Sequence, residues 1–451
     1  METEYFDEVI DRLMTRIVIV GAGQAGFQLA ASLRQGGHRG AITLLAEEEC
    51  LPYQRPPLSK TFLKESNGTE GLLFRPTSFY DKHAITLLRC KRVIAIDRKH
   101  HVVRLGDGQE IPYDFMAIAT GARNRRLTVP GAVADGIFSL RSVKDAEQLR
   151  AALKQAASMA VIGGGFLGLE VAALALTLGL RVHVLEAGPR LMGRAVTDEV
   201  STYFLDQHRA CGMDIRLGTA VSEILVQDGR ASGIITTAGD TLSANLILVA
   251  VGVIPNTELA ADAGLPAQNG VIVNSELRTH DQCIFAIGDC ARYPNAHANE
   301  MIRIESVQNA VDQARCAAAN MIGAPTEYRA LPWFWSTQAA TRLQIAGFST
   351  RTDWTIRTGD SQSFSIYGFR DQRLVKVESV NAPTDHMRAR RLMMRNEPIY
   401  PDELLINDIF PGSGIVTPGN QTTEANFGSH KNYLDCRAIT DGKSRIKEVR
   451  S

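Results

Sequence analysis

Two stretches of this chain share one hydrophobic rhythm. Each runs a short, unbroken apolar strand into a glycine-rich turn, IVIVGAGQAG at 17–26 and AVIGGGFLG at 160–168. Each is followed by a second strand ending in acid, ITLLAEE at 42–48 and RVHVLE at 181–186. Apolar runs of this length between turn signals read as strands buried on both faces, the pattern of a parallel sheet. The segments beyond these strands repeat too. An alternating stretch around a GDG turn (92–113) leads into a buried strand that ends near Gly121 (113–123), and a counterpart at 223–256 returns to Gly252. Residues 271–293 then end a strand at Gly288-Asp289, and 304–323 predict a helix with an Ala/Val face and a terminal Gly. From 330 onward the pattern is a few antiparallel strands with one or two helices. Residues 411–451 hold scattered apolar positions among Gly, Ser, Thr and Asn and are expected to be disordered or loosely attached. The pattern predicts an α/β protein: two Rossmann-like dinucleotide-binding domains plus a C-terminal α+β domain.

The glycine spacing carries chemistry. In a dinucleotide fingerprint the first glycine makes the tight turn, the second lets backbone amides approach a pyrophosphate, and the third lets the helix pack close to the strand. These are Gly21, Gly23 and Gly26 in the first unit, with Ala25 beside them, and Gly163, Gly165 and Gly168 in the second. One such match is weak evidence, because a glycine-rich turn can be only a turn. Two, each with an acidic strand end, imply two nucleotides on one polypeptide, the layout needed to pass electrons between two cofactors.

Composition narrows the partners. The 451 residues carry 49 basic and 49 acidic side chains, so no global field points to nucleic acid or an anionic membrane. The acidic N-terminus lacks a basic or apolar leader, and no long apolar run occurs, so a cytoplasmic protein is expected. The first strand begins after Met14-Thr15, which leaves residues 1–13 outside the unit and offers Met14 as an alternative start. Seven cysteines lie scattered without CxxC or CxxxxC spacing, which argues against zinc, an iron-sulfur cluster or a close redox disulfide; no metal site is expected.

At LPYQRPPLSK (51–60), ATGAR (119–123), VIGGGFLGLEVA (161–172), AIGDCAR (286–292), RIESVQNAVDQA (303–314) and PWFWS (332–336), the chain resembles the FAD-dependent ferredoxin reductases of bacterial Rieske oxygenases and some cytochromes P450, the putidaredoxin reductase type. The resemblance runs from 14 to 408. It implies a glutathione-reductase-like architecture: an FAD domain from 1–119 and 253–328, an NAD domain at 120–252, a C-terminal domain at 329–410 and a tail at 411–451. It also implies the activity, hydride transfer from NADH to FAD and single-electron transfer to a [2Fe-2S] ferredoxin, with rubredoxin as a less favoured acceptor.

Residue by residue, the resemblance puts the FAD pyrophosphate on the first fingerprint and the adenosine ribose on Glu47, with Glu48 and Glu49 leaving that choice open by one position. Arg55 and Lys60 match the flavin-side RPPLSK motif, Asp289 the carboxylate on the ribityl hydroxyls, and Val307 the helix start at the flavin pyrimidine edge. Val93, Thr120 and Arg141 are further FAD candidates. Glu186 suits the ribose 2′-OH of NADH and repels a 2′-phosphate, with Arg181 and Arg190 working against that preference. Lys60 and Glu170 are expected to flank the reacting edge; Phe166 either covers the flavin ring or packs in the core. Trp333 and Trp335 are candidates for the electron exit, and Arg303, Arg315, Arg388, Arg390 and Arg391 for a basic docking patch. Three features depart from the family, the long tail after 408 among them. Thr337 replaces the Asp of its PWFWSDQ motif, and Cys50 stands near where single-cysteine peroxidases, oxidases and disulfide reductases carry a redox thiol. A Cys50-dependent reductase and an NADH-sensing regulatory flavoprotein are the competing readings, and the sequence leaves monomer and homodimer open.

Overall fold

The computed structural model describes residues 12–65, 68–348, 352–371, 373–395 and 415–418. The repeated halves of the sequence fold into sheets of matching topology. The first sheet is built on β1 (Ile17–Val20), with α1 (Gln24–Gln35) after the turn, then β2 (Ile42–Leu45), β3 (Ile85–Leu88) and β4 (Phe115–Ile118). The second takes an edge strand β5 (Ile137–Phe138) from ahead of its fingerprint, then β6 (Ser158–Ile162), α2 (Phe166–Thr177), β7 (Arg181–Glu186), β8 (Asp214–Leu217) and β9 (Leu246–Val249). A fifth strand of the first sheet, β10 (Ile284–Ala286), arrives from beyond the second unit. The orders β3-β2-β1-β4-β10 and β8-β7-β6-β9-β5 are all parallel. Each unit also carries a three-stranded antiparallel insertion, Val93–Asp97 with Val102–Leu105 and Glu110–Pro112, and Val221–Gln227 with Arg230–Thr236 and Thr241–Ser243. The chain crosses between units on a two-stranded ribbon, Ala122–Asn124 against Val253–Pro255.

Burial follows from composition. Every residue of β1 and β6 is buried, as continuous apolar strands between helical layers should be. The small residues of α1 and of α3 (Val307–Met321) let these two helices pack closely. α2, FLGLEVAALALT, is apolar nearly all round, and such a helix must be covered on more than one side. It lies between its own sheet and a C-terminal antiparallel sheet. That sheet comprises β11 (Trp333–Gln338), β12 (Thr341–Gly347), β13 (Trp354–Gly359), β14 (Phe364–Arg370), β15 (Arg373–Val380) and β16 (Ile415–Pro418), in the order β11-β12-β15-β14-β13-β16. Helix α4 (Pro383–Met393) packs on it through His386, Ala389 and Met393. β16 corrects one expectation: four residues of the supposedly loose 411–451 segment pair with β13, because an open sheet edge is a ready template for another strand. The rest of that segment lies outside the described residues.

Two buried histidines give the fold an acid limit. His38 is 2% exposed and His386 1%. Burial, with Arg34 near one and Arg390 and Arg342 near the other, lowers both from 6.5 to about 4. Between those pH values the unfolded chain binds the proton that the folded chain refuses, so the contribution is complete above pH 6.5 and is lost as pH falls toward 4. Each histidine is expected to cost about 3 kcal/mol of stability by pH 4. Urea unfolding between pH 7.5 and 4.5 checks this, and the decline should be shallower in a His386→Met variant; equal slopes would rule it out.

Candidate active site

The first fingerprint folds as its spacing requires. Gly21 has φ +107°, and a Cβ there would lie 2.3 Å from the Ala119 carbonyl oxygen; a Cβ on Gly26 would lie 1.8 Å from that of Gly21. Around Gly23 the corresponding space is empty to 4 Å. The second unit repeats this, with Gly163 at φ +109°, Gly168 tight against the Gly163 carbonyl at 2.3 Å, and Gly165 open. In both units the open glycine precedes a helix N-terminus, where free amides and the helix dipole favour an anion.

A cavity of about 1600 Å³ begins at the first turn, on Gly21, Gly23 and Ala25. That exceeds the about 300–1,000 Å³ of ordinary small-molecule pockets and suits a dinucleotide. Glu47, Val93, Thr120, Arg141 and Asp289 line it, and Arg55, Lys60, Glu170, Val307 and Trp335 complete its wall. Arg141 and Asp289 meet at 2.9 Å. Glu48 is engaged by the Tyr53 hydroxyl at 2.6 Å and by Arg55 at 2.7 Å, and Arg55 also donates to the Arg141 carbonyl. Glu47 instead stands 72% exposed at the rim, 3.8 Å from Arg92. The two strand-end acids are one residue out of step: Glu186 directly follows the Ile162–Leu185 pair, whereas Ala46 follows Val20–Leu45 and Glu47 comes next. At the far end, Ser306 caps α3 by accepting from the Asn309 amide, so the helix presents its first amides, beginning at Val307, to the cavity wall. These donors, cations and helix ends fit a bound FAD.

At the wall where the two units meet, the Lys60 ammonium lies 2.6 Å from the Glu170 carboxylate. Lys60 closes the RPPLS turn of the first unit, and Glu170 is the one charged residue of α2. The Ser59 hydroxyl donates to Glu170 Oε2 at 2.5 Å and the Ser336 hydroxyl to Oε1 at 2.7 Å. A recess of about 300 Å³ adjoins the large cavity, sharing Gln24, Pro56, Lys60, Val307 and Trp335 with it and adding Thr337.

Gly163, Gly165, Gly168 and Glu186 lie outside the large cavity and frame the second turn. Glu186 accepts from the Gly164 and Gly188 amides, both at 2.7 Å, which fixes its carboxylate at the strand end. The two arginines expected to offset it do not. Arg181 opens β7, five residues from Glu186 and so about 16 Å away in an extended strand. Arg190 is tied to Asp198 at 3.0 Å and to the Val196 carbonyl at 2.5 Å.

Two dinucleotide turns, an FAD-sized cavity and an ion pair where the units meet point to one kind of protein, and comparison with known families agrees. The model of the pyridine nucleotide-disulphide oxidoreductases matches residues 15–314, and that of the reductase C-terminal domain matches 333–408. The chain belongs to the pyridine nucleotide-disulphide oxidoreductase family. It is 48% identical to rhodocoxin reductase of Rhodococcus erythropolis over 87% of this chain and 92% of that one. Among solved structures it matches the ferredoxin reductase for the CYP199A2 system of Rhodopseudomonas palustris with a TM-score of 0.84 and 43% identity, over 86% of this chain and 96% of that one. It also matches the covalent putidaredoxin reductase–putidaredoxin complex with a TM-score of 0.83 and 36% identity, over 86% and 95%. Members of this family bind FAD and use NAD(P)H. Among the described residues no helix is long and apolar enough to cross a membrane.

Within this oxidoreductase several expected roles need correction. Trp335 lines both cavities, but Trp333 does not: it packs on Trp335 and His386, with Arg390 4.0 Å from its ring centre. Arg390 is thereby removed from any docking patch. Arg303 is removed too, at 10% exposure, paired with Glu305 and donating to the Asp289 carbonyl. Arg315, paired with Asp312 at 3.5 Å, is still 62% exposed, and Arg388 and Arg391 are exposed on α4. Phe166 packs edge-to-face on Phe334 at 4.7 Å instead of lining the cavity. Ser59 and Ser336 carry no signal of their own in the sequence; they adjoin Lys60 and Trp335 inside the quoted motifs, and only their distance in sequence from Glu170 hides them, whereas Glu48, the neighbouring alternative to Glu47, is the acid that Tyr53 and Arg55 engage.

Cys50 lines the large cavity, yet its thiol is pushed above its ordinary value by burial and by the neighbouring carboxylates of Glu48, Glu147 and Glu49. A redox-active cysteine needs the opposite, an electropositive setting that favours thiolate. Cys50→Ser is expected to keep turnover within about twofold, measured with NADH and a [2Fe-2S] ferredoxin; loss of turnover would restore the thiol reading.

Proposed function

We propose that this chain is an FAD-dependent NADH:ferredoxin oxidoreductase, taking hydride from NADH and passing single electrons to a [2Fe-2S] ferredoxin that feeds a Rieske oxygenase or cytochrome P450. One observation carries the reading: the cavity that starts on the first phosphate turn ends against Glu170, on the helix that opens from the second. A nucleotide on each turn would therefore bring its reactive end to one wall. The names of its relatives, a rhodocoxin reductase and a putidaredoxin reductase captured with its putidaredoxin, support the same acceptor class.

When bound, FAD supplies the switch from two-electron to one-electron chemistry. The chain's own residues bind and orient. In this reading Gly21, Gly23, Ala25 and Gly26 seat the pyrophosphate, and Glu47 takes the adenosine ribose. Arg55, Val93, Thr120, Arg141 and Asp289 hold the rest of the dinucleotide, and the α3 amides at Val307 favour negative charge at its far end. Lys60 and Glu170 position the nicotinamide edge. Hydride transfer needs close stacking and orientation, not a general base. Trp335, which lines both the cavity and the recess, is the electron exit, and Arg315, Arg388 and Arg391 are the exposed cations offered to an acidic ferredoxin. The six described cysteines are all free, which fits the reducing cytoplasm where NADH is supplied.

Glu186 makes NADH the donor. Two unit charges about 4 Å apart interact by about 4 kcal/mol at an effective dielectric of about 20, and a third of that is already about tenfold. Glu186→Ala is expected to narrow the NADH over NADPH ratio of kcat/KM by at least about tenfold; an unchanged ratio would place discrimination elsewhere.

Anaerobic stopped-flow mixing with NADH or NADPH, then with a [2Fe-2S] ferredoxin, tests the whole reading. Flavin bleaching by NADH followed by ferredoxin reduction is the expected result. Bleaching that never reaches any ferredoxin favours a sensor, and protein without bound flavin removes the proposal.

A further inference from the structure

Glu170 is held from a third direction that hydride transfer between the two nucleotide units does not by itself require. Ser336 sits on β11 of the C-terminal sheet, 1% exposed, and its hydroxyl donates to Glu170 Oε1 at 2.7 Å. Behind it, Gln338 Nε2 donates to Ser336 Oγ at 3.4 Å, and His208 Nε2 donates to Gln338 Oε1 at 2.7 Å. Gln338 is 1% exposed and His208 4%, and burial holds the His208 imidazole below its ordinary range, so it is neutral. The donors thus all point one way, from His208 through Gln338 and Ser336 to the carboxylate. Buried polar groups cost stability unless paired, and an apolar lining of the same volume would serve packing at least as well. What the chain does achieve is orientation. With Ser336 on Oε1, and with Ser59 and Lys60 on Oε2, each carboxylate oxygen has a fixed role.

We propose that Ser336 is a positioning residue for hydride transfer: from the C-terminal sheet it fixes the Glu170 carboxylate so that Lys60 stands at the wall where the two nucleotides meet. The inference rests on the oxidoreductase reading. It makes the C-terminal sheet part of the hydride-transfer site as well as of the electron exit, since Trp335 and Ser336 are neighbours on one strand.

The test compares Ser336→Ala and Ser336→Thr with wild type. Thermal midpoint and flavin content report folding. The absorbance change of bound flavin on titration with NAD⁺ reports the nicotinamide wall without turnover, and stopped-flow at varied NADH separates limiting rate from affinity. Ser336→Ala is expected to keep its flavin and midpoint, alter the NAD⁺ difference spectrum and lower the limiting rate about tenfold, the scale of one charge-assisted hydrogen bond, with apparent NADH affinity within about twofold. Ser336→Thr, which keeps the hydroxyl, restores both signals. An alanine variant with wild-type spectrum and rate overturns the inference alone, as does a loss that threonine does not restore in a folded protein. A wild-type flavoprotein that NADH does not bleach overturns the underlying reading and this inference with it.

Discussion

Gly26→Ala is expected to yield protein that purifies without flavin. The added Cβ would lie 1.8 Å from the Gly21 carbonyl oxygen and 3.2 Å from the Ile19 side chain. The first of these contacts is backbone, so no rotamer change relieves it: either α1 slides outward or the turn opens. Both movements carry the Gly23 amides and the helix N-terminus away from the pyrophosphate they serve, and such a loss is worth about 3 kcal/mol or more, over about 100-fold in affinity. Two controls locate the effect. Gly168→Ala meets the Gly163 carbonyl at 2.3 Å in the second unit, and is expected to retain flavin while weakening NADH. Gly23→Ala points into space that only the ligand occupies, so it is expected to weaken flavin while leaving the thermal midpoint of the flavin-free protein unchanged. Flavin content from the absorbance ratio, with thermal midpoints alongside, decides the matter; a fully flavinated Gly26→Ala protein would falsify the role given to the first turn.

The properties most legible in the sequence are those with a local cause. Glycine roles depend on a few neighbouring residues, so spacing alone places all six fingerprint glycines, and the structure reproduces tight, open and tight positions in both units. The composition of α2, apolar all round with a single acid, already requires two covering layers and a cation, and Lys60 supplies the latter. The expectations that fail depend on long-range packing. Arg303 and Arg390 read as surface charge, but one is half-buried against Glu305 and the Asp289 carbonyl and the other lies over Trp333. Arg181 fails for a simpler reason: nearness in sequence is not nearness along an extended strand, and the rise per residue alone sets its distance from Glu186. The serines on Glu170 come from positions more than a hundred residues distant, 111 for Ser59 and 166 for Ser336, where no local pattern can announce them.

Glu170→Gln is expected to slow NADH-driven flavin bleaching by roughly 100-fold while flavin stays bound. The charge-assisted hydrogen bonds by which the carboxylate fixes Lys60, which is 28% exposed, are worth about 2–3 kcal/mol, and their loss in the transition state alone would slow the step about 30- to 150-fold. The amide also reverses a donor pattern: Ser59, Lys60 and Ser336 all donate to the carboxylate, and an amide nitrogen has nothing to accept them with. A packing defect would give a similar loss, since a buried carboxylate needs a cation whatever its chemistry. Removing both charges separates the two. A Lys60→Met, Glu170→Leu double variant replaces the pair with apolar groups of similar size, which is often neutral or stabilising. Its thermal midpoint is therefore expected to return to the wild-type value or above it, whereas its bleaching rate stays low, because nothing then orients the nicotinamide edge. Recovery of rate together with midpoint would make the pair a packing device only, and the residues that orient the donor would have to be sought elsewhere on the wall.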